Sequence, residues 1–300
     1  MSPLLWAVVL SSTLAWAVFD VLRKRLAGKI PALELAVWLT LAQIPLYAAW
    51  WLVALGPVVP SSVGTLDYLG PTAASVVFNV AANLLFLAAV GSADLGATIP
   101  LLSLTPVFVA LGSIPLLGER LQPANWLGIA LVTVGALFLP EVDGQRPTLR
   151  ARLGALVARR SSLFMVGTAA LWAMTPVMDK LALRHVPVPA HGFFLAVGVF
   201  VSTALVAIAT RRVPSRLPAR QLGLVLVAAL VSVLALGLQF VAIGLTMVSV
   251  FEAFKRAVGL LLALLMGAIV FRERPTRSRM VAGLIMAVGV VLVLLPAGKV

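Results

Sequence analysis

The chain has 300 residues, of which 62% are hydrophobic and only 11% are charged, and its mean hydropathy is +1.10. A soluble globular chain carries about 25% charged residues because its surface faces water, so a soluble domain and a disordered chain are both excluded. The absence of cysteine excludes a disulfide framework, a thiolate metal site and a cysteine nucleophile. The net charge of +13 does not indicate nucleic-acid binding, because the cations lie in clusters between long apolar runs. The sequence predicts a multi-pass membrane protein.

Ten apolar segments are each long enough to cross a hydrocarbon core of about 30 Å, which takes roughly 20 helical residues. β-barrel strands are excluded because the apolar runs are continuous and do not alternate with polar residues. The first segment is not a signal peptide, since the basic cluster Arg23-Lys24-Arg25 follows it as a stop-transfer flank does. We therefore predict an all-α membrane protein with ten transmembrane helices. They are placed at 3–21, 32–54, 69–91, 95–117, 123–140, 162–183, 189–210, 220–243, 247–271 and 279–296.

The two halves of the chain repeat the same residues in the same order at a nearly constant spacing. The matched pairs are Trp16 and Trp172, Lys24 and Lys180, Pro31 and Pro187, Phe86 and Phe240, and Glu119 and Glu273. A repeat of five helices is odd in number, so the second copy enters the membrane from the opposite side. This is the inverted-repeat architecture of secondary transporters. The predicted organisation is a first five-helix repeat at 1–140, a basic connecting loop at 141–161 and a second five-helix repeat at 162–300.

The end of each half resembles a known family, the EamA-type transporters, which are ten-helix members of the drug/metabolite transporter superfamily. The motifs that carry the resemblance are Gly118-Glu119-Arg120-Leu121 with Trp126-Leu127-Gly128 and Gly135, and, in the second half, Phe271-Arg272-Glu273-Arg274 with Gly283. The resemblance covers the whole chain. It implies a secondary active transporter that moves a small polar or amphipathic metabolite by alternating access, as an exporter. The second half departs from the pattern at Gly259-Leu260, where the first half has Thr105-Pro106.

Two other functional classes are weighed against the exporter. One is an uptake permease or channel for a small anionic or zwitterionic solute, and the less favoured one is an intramembrane enzyme. An enzyme is not expected, because His185 and His191 lie six residues apart in a proline-rich connection, a spacing that also does not suit a metal site. No cofactor, metal or nucleic-acid partner is predicted. The expected partners are a small-molecule substrate, a proton or other coupling ion and the lipid bilayer, and the chain is either a monomer or a dimer.

The distribution of positive charge predicts the orientation of the chain in the membrane. Seventeen of the 23 Lys and Arg residues lie in the connections after the first, third, fifth, seventh and ninth helices. Four lie in the other connections and at the ends, and two lie within the ninth helix. Short positive loops stay in the cytoplasm, so both termini are predicted on the extracytoplasmic side of a cell membrane, expected to be a bacterial inner membrane. The family resemblance implies the opposite, with both termini in the cytoplasm.

The ninth helix carries three charged residues, Glu252, Lys255 and Arg256, which we call the α9 charge cluster. Lys255 and Arg256 follow Glu252 by three and four residues, so all three share one helical face. A charge within a span costs about 2.5–3.5 kcal/mol on insertion scales, which makes each one a candidate for function. One interpretation is a binding site whose surplus positive charge receives a carboxylate or phosphate. The other is a buried ion pair that holds the halves together.

Uncharged polar and aromatic residues within the spans are also candidates for substrate binding. Asn79 and Asn83 lie one turn apart on the third helix, and Gln239 lies on its counterpart, the eighth. Their amides are predicted either to bind solute or to hydrogen-bond neighbouring helices. Trp16 and Trp172, at matched positions, either line the cavity or lie at the membrane interface.

Three carboxylates are candidates for coupling transport to an ion: Glu252, Asp20 and Asp179. Glu252 is favoured because Asp20 and Asp179 lie near helix ends beside basic residues, where local ion pairs are expected. Glu119 and Glu273, each next to an arginine, are interpreted as loop or helix-cap residues that hold the fold.

Prolines and glycines predict which helices bend and which pack closely. Pro100, Pro106 and Pro115 punctuate the fourth helix, which we expect to be bent, with Pro100 and Pro106 in a gating hinge. Small residues spaced along one face favour close packing of the fifth and tenth helices. These residues are Gly128 and Gly135 on the fifth helix and Gly283 and Ala287 on the tenth.

Overall fold

In the computed structural model of the chain, the described residues are 3–92, 99–138, 160–212, 214–270 and 276–295. They form ten α-helices, with two short 3-10 helices at Ser61–Gly64 and Ile99–Leu104, and contain no strand. The α-helices are α1 (Pro3–Ala27), α2 (Ala32–Leu55), α3 (Leu66–Ser92), α4 (Thr105–Leu117), α5 (Pro123–Phe138), α6 (Arg160–Ala182), α7 (Val188–Ala209), α8 (Ala219–Leu245), α9 (Val248–Val270) and α10 (Arg277–Val293).

Helix boundaries follow the apolar segments, with two instructive differences. The first segment was predicted to end at residue 21, but α1 continues to Ala27, so Lys24 and Arg25 lie in its last turn. Cations are favourable there because a helix C-terminus carries partial negative charge. The predicted fourth segment, 95–117, is divided: the 3-10 helix Ile99–Leu104 precedes α4, and residues 93–98 lie outside the described residues.

Six described helices are long and apolar enough to cross a membrane: α1, α2, α3, α6, α7 and α8. Shorter apolar helices cover Leu101–Leu117, Pro123–Phe138 and Met280–Val293, and α9 contains the three residues of the α9 charge cluster. The chain is therefore an all-helical, multi-pass membrane protein. The count of ten crossings stays a prediction.

The chain folds into two compact units, unit 1 with Met1–Val80 and Met178–Leu245, and unit 2 with Ala81–Val177 and Thr246–Val300. In unit 1, α1 packs against α8, and α2 packs against α7 and α8. In unit 2, α5 packs against α10, and α9 packs against α4, α5 and α10. Each unit thus contains helices from both halves of the sequence. The two units therefore do not coincide with the predicted repeats, which are consecutive stretches of the chain. Most of the predicted connecting loop, residues 139–159, lies outside the described residues.

The contact between α5 and α10 in unit 2 depends on glycine. A Cβ added at Gly128 would lie 2.6 Å from the backbone nitrogen of Val293 and 2.7 Å from the carbonyl oxygen of Gly289. A Cβ added at Gly135 would lie 2.5 Å from Cγ of Met286. In a membrane, helices associate through such close packing because lipid tails are as apolar as the side chains. The prediction of close packing through Gly128 and Gly135 is confirmed, with Gly289 as the facing glycine on α10.

Candidate functional site

The start of α9 in unit 2 is held by a buried carboxylate from the loop after α4. Gly118 ends α4 with a φ of 70°, in the left-handed region that favours glycine. The next residue, Glu119, accepts hydrogen bonds from the backbone nitrogens of Val248 (2.5 Å) and Ser249 (3.3 Å) and from the Ser249 hydroxyl (2.6 Å). Free N–H groups at a helix N-terminus favour a negative charge. The interpretation of Glu119 as a helix cap is confirmed, whereas Glu273 lies outside the described residues.

Two members of the α9 charge cluster form an ion pair. Lys255 Nζ lies 2.6 Å from Glu252 Oε1 and 5.4 Å from the centroid of the Phe251 ring. The Lys255 side chain is 21% exposed and the Glu252 side chain 7% exposed. Lys255 is seven residues beyond Val248, so it lies roughly 10 Å from the start of the helix. Both residues lie on α9, so the pair is formed within one helix. The two roles, in substrate binding and in holding the halves together, stay predictions.

The third member of the cluster, Arg256, reaches the break before α4. Its Nη2 donates hydrogen bonds to the carbonyl oxygen of Leu102 (3.1 Å) and to Oγ1 of Thr105 (3.4 Å). The Thr105 hydroxyl also donates to the Leu102 carbonyl, at 2.6 Å. In a continuous helix that carbonyl would accept the N–H of the residue four positions later, but this residue is Pro106, which has none. The Leu102 carbonyl thus has no α-helical donor at position 106, and Arg256 and the Thr105 hydroxyl donate to it in addition to the pairing of the 3-10 helix. Sequence analysis missed this connection.

The predicted hinge prolines lie at the junction of the two helical segments. Pro100 is in the 3-10 helix Ile99–Leu104, and Pro106 is in the first turn of α4. The first turn is where proline is tolerated, because its missing N–H would have no helical partner. The predicted fourth segment thus changes from 3-10 to α-helical geometry beside these prolines. A bend and a gating role stay predictions.

In unit 1, two of the predicted substrate residues contact each other. The indole nitrogen of Trp16 on α1 donates a hydrogen bond of 2.9 Å to Oε1 of Gln239 on α8. Gln239 is buried, and Trp16 is half-buried. A neighbouring amide, Gln43 on α2, donates to the Ser232 hydroxyl on α8 at 2.7 Å. These bonds tie α1 and α2 to α8, as the helix-packing interpretation of the amides expects.

The remaining predicted substrate residues are half-buried. Asn79 and Asn83 lie one turn apart on α3, Asn79 in unit 1 and Asn83 in unit 2. Trp172, on α6 in unit 2, packs against Phe86 of α3 with ring centroids 5.6 Å apart. Their role in binding solute stays a prediction.

The two other coupling candidates differ in environment. Asp20 is exposed and pairs with Arg23 at 3.0 Å, which is the local pairing expected near a helix end. Asp179 is buried in unit 1 and accepts a hydrogen bond of 2.5 Å from the Ser75 hydroxyl on α3. Its Oδ1 also lies 3.5 Å from Nε2 of His191. Asp179 is thus in the interior, although it is near the end of α6.

The placement of His191 corrects the sequence interpretation. It was assigned to a connection, but it lies in the first turn of α7 and is fully buried, whereas His185 is exposed in the turn before that helix. Its Nδ1 lies 3.3 Å from the Tyr68 hydroxyl of α3. A signal for this cluster was present, because Tyr68 and Ser75 are seven residues apart and so share one face of α3.

An open groove of about 720 Å³ lies elsewhere in unit 1, between the end of α1 and the start of α8. Its basic lining residues are Arg25, Lys29 and Arg220. None of the predicted substrate residues lines it. The groove does place cations from the first and seventh connections at one end of the unit.

The chain thus combines apolar helices with a buried carboxylate, a buried imidazole and an intrahelical ion pair. The chain belongs to the EamA-like transporter family, whose model matches residues 2–139 and again 159–295. It is thus a membrane transporter of the drug/metabolite transporter superfamily, and the resemblance seen in the closing motifs is confirmed.

Solved structures share this fold. One crystal structure covers 98% of this chain and 98% of its own, with a TM-score of 0.75 and 17% sequence identity. At that identity the likeness shows the fold alone. No curated protein sequence matches the chain.

Proposed function

We propose that the chain is a secondary active transporter that exports a small polar or amphipathic metabolite by alternating access. The observation that carries this proposal is the match of the transporter family to both halves of the chain. It favours ten membrane crossings arranged as two five-helix repeats of opposite orientation, at 1–140 and 162–300, joined by the basic loop 141–161. Such a carrier is not an enzyme and uses no cofactor.

We place substrate recognition at the α9 charge cluster, together with the amides and indoles of Asn79, Asn83, Gln239, Trp16 and Trp172. Intramembrane charges are costly and therefore serve substrate, ion or packing roles. In the cluster, a cation and an anion lie 2.6 Å apart, and a second cation lies one residue further on. A solute that carries a carboxylate competes with Glu252 for the cations, so opposite charges on the protein suit an anionic or zwitterionic group.

The same helix also supports a gating proposal. Arg256 is bonded to the break between the 3-10 helix and α4, so a solute that draws the guanidinium away removes a hydrogen bond from the Leu102 carbonyl. We propose that the break, with Pro100 and Pro106, moves when the cluster is occupied. Arg256 and the break are linked energetically through the Leu102 carbonyl, to which Pro106 has no N–H to donate.

For orientation, we propose that both termini lie outside the cytoplasm of a bacterial inner membrane. The lining of the groove supports this, because Arg25 and Lys29 of the first connection and Arg220 of the seventh meet at one end of unit 1. A shared positive end is what the positive-inside rule requires of cytoplasmic loops.

A thermal-shift screen of the purified protein against amino acids, nucleobases, sugars and cationic drugs identifies the substrate class. Compounds that raise the melting temperature are then tested for flux in proteoliposomes. A transporter gives flux above that of protein-free liposomes and saturates with solute concentration. Stabilisation without flux for every compound in the panel would contradict the proposal.

A second candidate, uptake or channel conduction of an anionic or zwitterionic solute, is favoured by the Glu252–Lys255 pair alone. Counterflow separates channel conduction from carrier transport in either direction. A carrier exchanges labelled for unlabelled solute across the membrane, and a channel does not.

A further inference from the structure

Unit 1 contains a buried acid and base in contact that the proposed substrate site does not use. Asp179 and His191 are 3% and 0% exposed, and Asp179 Oδ1 lies 3.5 Å from His191 Nε2. We call these two residues the proton pair. Among the described residues, His191 Nε2 has no hydrogen-bond partner, and the Asp179 oxygen lies at the outer limit of hydrogen-bond distance from it.

Hydroxyl groups complete the surroundings of the proton pair. The Ser75 hydroxyl donates to Asp179 Oδ1 at 2.5 Å, and the Tyr68 hydroxyl lies 3.3 Å from His191 Nδ1. A tyrosine hydroxyl both donates and accepts, so Tyr68 can donate to a neutral imidazole and accept from a protonated one. The surroundings therefore suit either protonation state of His191.

Other aromatic rings close the site from the neighbouring helices. Tyr47 of α2 packs on Gly192, where an added Cβ would lie 2.3 Å from its ring. Phe240 of α8 lies edge-on to the imidazole, with centroids 5.0 Å apart. Within the part of the chain that the structure describes, Tyr68 and Tyr47 are the titratable groups that face the pair from the packed helices. On α6 itself, the next residue, Lys180, is half-buried.

Charge balance fixes how many protons such a pair holds. With one proton, on either the carboxyl oxygen or the imidazole Nε2, the pair is neutral overall. Adding a second proton leaves a net charge of +1, and removing the first leaves −1. A net charge in an apolar interior is costly, so the buried pair holds one proton and exchanges it only where water reaches it.

We infer that Asp179 and His191 together form the binding site for a proton that is coupled to transport. The inference rests on the proposed function, because alternating access is what exposes such a site first to one side of the membrane and then to the other. It selects the proton as the coupling ion and this pair, rather than Glu252 or Asp20, as its site. Binding transfers a proton from water to the pair, and release returns it to water on the opposite side, with no other bond formed or broken.

Nitrogen NMR of histidine tests the site directly, because the chain has only two histidines. The protein is labelled with ¹⁵N-histidine, reconstituted in lipid bilayers and titrated between about pH 5 and 9. His185→Asn assigns the signals and is a mild change, since Ser62 hydrogen-bonds the backbone carbonyl of His185, which the substitution keeps. The probe is the proton alone.

We expect Asp179→Asn to change the pH response of the His191 ¹⁵N signals, because the imidazole loses the carboxylate beside it. Asp20→Asn, which removes an exposed carboxylate, is the matched control and leaves the response unchanged. Ser75→Ala keeps the carboxylate, is a second route if Asp179→Asn fails to fold, and changes the response by a smaller amount. An unchanged response in Asp179→Asn or Ser75→Ala, or His191 signals that do not respond to pH, would overturn the inference.

Charge movement tests the coupling. A rapid pH step applied to proteoliposomes on a solid-supported membrane is expected to give a transient current for the wild type and for Asp20→Asn. For Asp179→Asn the current is expected to fall to that of empty liposomes, and a wild-type current from this variant would overturn the inference. Neither measurement uses a transported solute, so failure of the flux screen and failure of the proton site are distinguishable.

Discussion

Glu119 shows how one residue can fix the start of a helix that carries charge into the membrane. Its carboxylate accepts three hydrogen bonds from the first residues of α9, and Gly118 supplies the left-handed turn that aims it there. The α9 charge cluster begins one turn further on. The position of Glu252, Lys255 and Arg256 therefore depends on a cap in the preceding half of the sequence.

We expect Glu119→Gln to destabilise the protein by about 1–3 kcal/mol, because a buried charged acceptor is lost and the new amide hydrogens face backbone N–H groups. The measurement is the midpoint of thermal unfolding in detergent. Glu34→Gln is the matched control, since Glu34 accepts its hydrogen bonds from Ser215 at an exposed site. Equal midpoints for the two variants would show that the cap contributes nothing specific.

At the residue scale, the sequence indicated the candidate functional residues but not the groups that these residues contact. The α9 charges were found because charge within an apolar run is costly and therefore conspicuous. The partner of Arg256 was missed because it is a backbone carbonyl more than a hundred residues away, which no residue type reveals. His191 was missed because its proline-rich flank was interpreted as a loop, whereas proline is also favoured at the start of a helix.

At the scale of elements, a hydrogen bond joins the break before α4 to Arg256 on α9. Pro106 has no N–H to give the Leu102 carbonyl an α-helical donor, and Arg256 donates to that carbonyl beside the Thr105 hydroxyl. An arginine within a span is thereby given a backbone acceptor.

A double-mutant cycle tests the coupling between Pro106 and Arg256. Pro106→Ala restores the N–H for Leu102, so Arg256→Ala is expected to cost less stability in that background than in the wild type. We expect a coupling energy on the order of 0.5–3 kcal/mol from unfolding midpoints of the four proteins. Strictly additive effects would contradict the assigned contact. Pro115→Ala, elsewhere in α4, is the control background.

The α5–α10 contact gives a prediction of steric origin. Gly128→Ala places a methyl group 2.6 Å from the backbone nitrogen of Val293, which cannot rotate aside as a side chain can, so destabilisation of about 1–3 kcal/mol is expected. Gly259→Ala on α9 is the matched control, because an added Cβ there meets nothing within 4 Å. Thermal unfolding of both variants measures the difference, and equal stability would contradict the close approach.

Helix positions were predictable because a span in lipid must hydrogen-bond its backbone groups within its own helix and present apolar side chains to lipid. Long apolar segments of the sequence therefore mark the helices. The ten predicted segments correspond to α1 to α10 within a few residues, apart from the longer α1 and the divided fourth helix. The prolines predicted an irregular fourth helix, but they do not show where the 3-10 helix Ile99–Leu104 ends and α4 begins.

At the scale of the whole molecule, the lack of cysteine makes the orientation testable by single-cysteine labelling. Gly28 and Val59 flank α2 and are exposed, so Gly28→Cys and Val59→Cys report on opposite ends of one helix. With termini outside, a membrane-impermeant maleimide labels Val59→Cys in intact cells and Gly28→Cys only after lysis. The reverse pattern would place the termini in the cytoplasm, as the family resemblance implies.

The most direct test of the transport account is solute flux through variants of the α9 charge cluster. Proteoliposomes with wild-type protein, Lys255→Ala, Arg256→Ala and the exposed control Lys24→Ala are loaded with the compound that the thermal-shift screen identifies. We expect Lys255→Ala and Arg256→Ala to insert normally and to lose at least about tenfold in flux, equivalent to about 1.4 kcal/mol, while Lys24→Ala transports like the wild type. Wild-type flux from correctly inserted Lys255→Ala or Arg256→Ala protein would contradict the account.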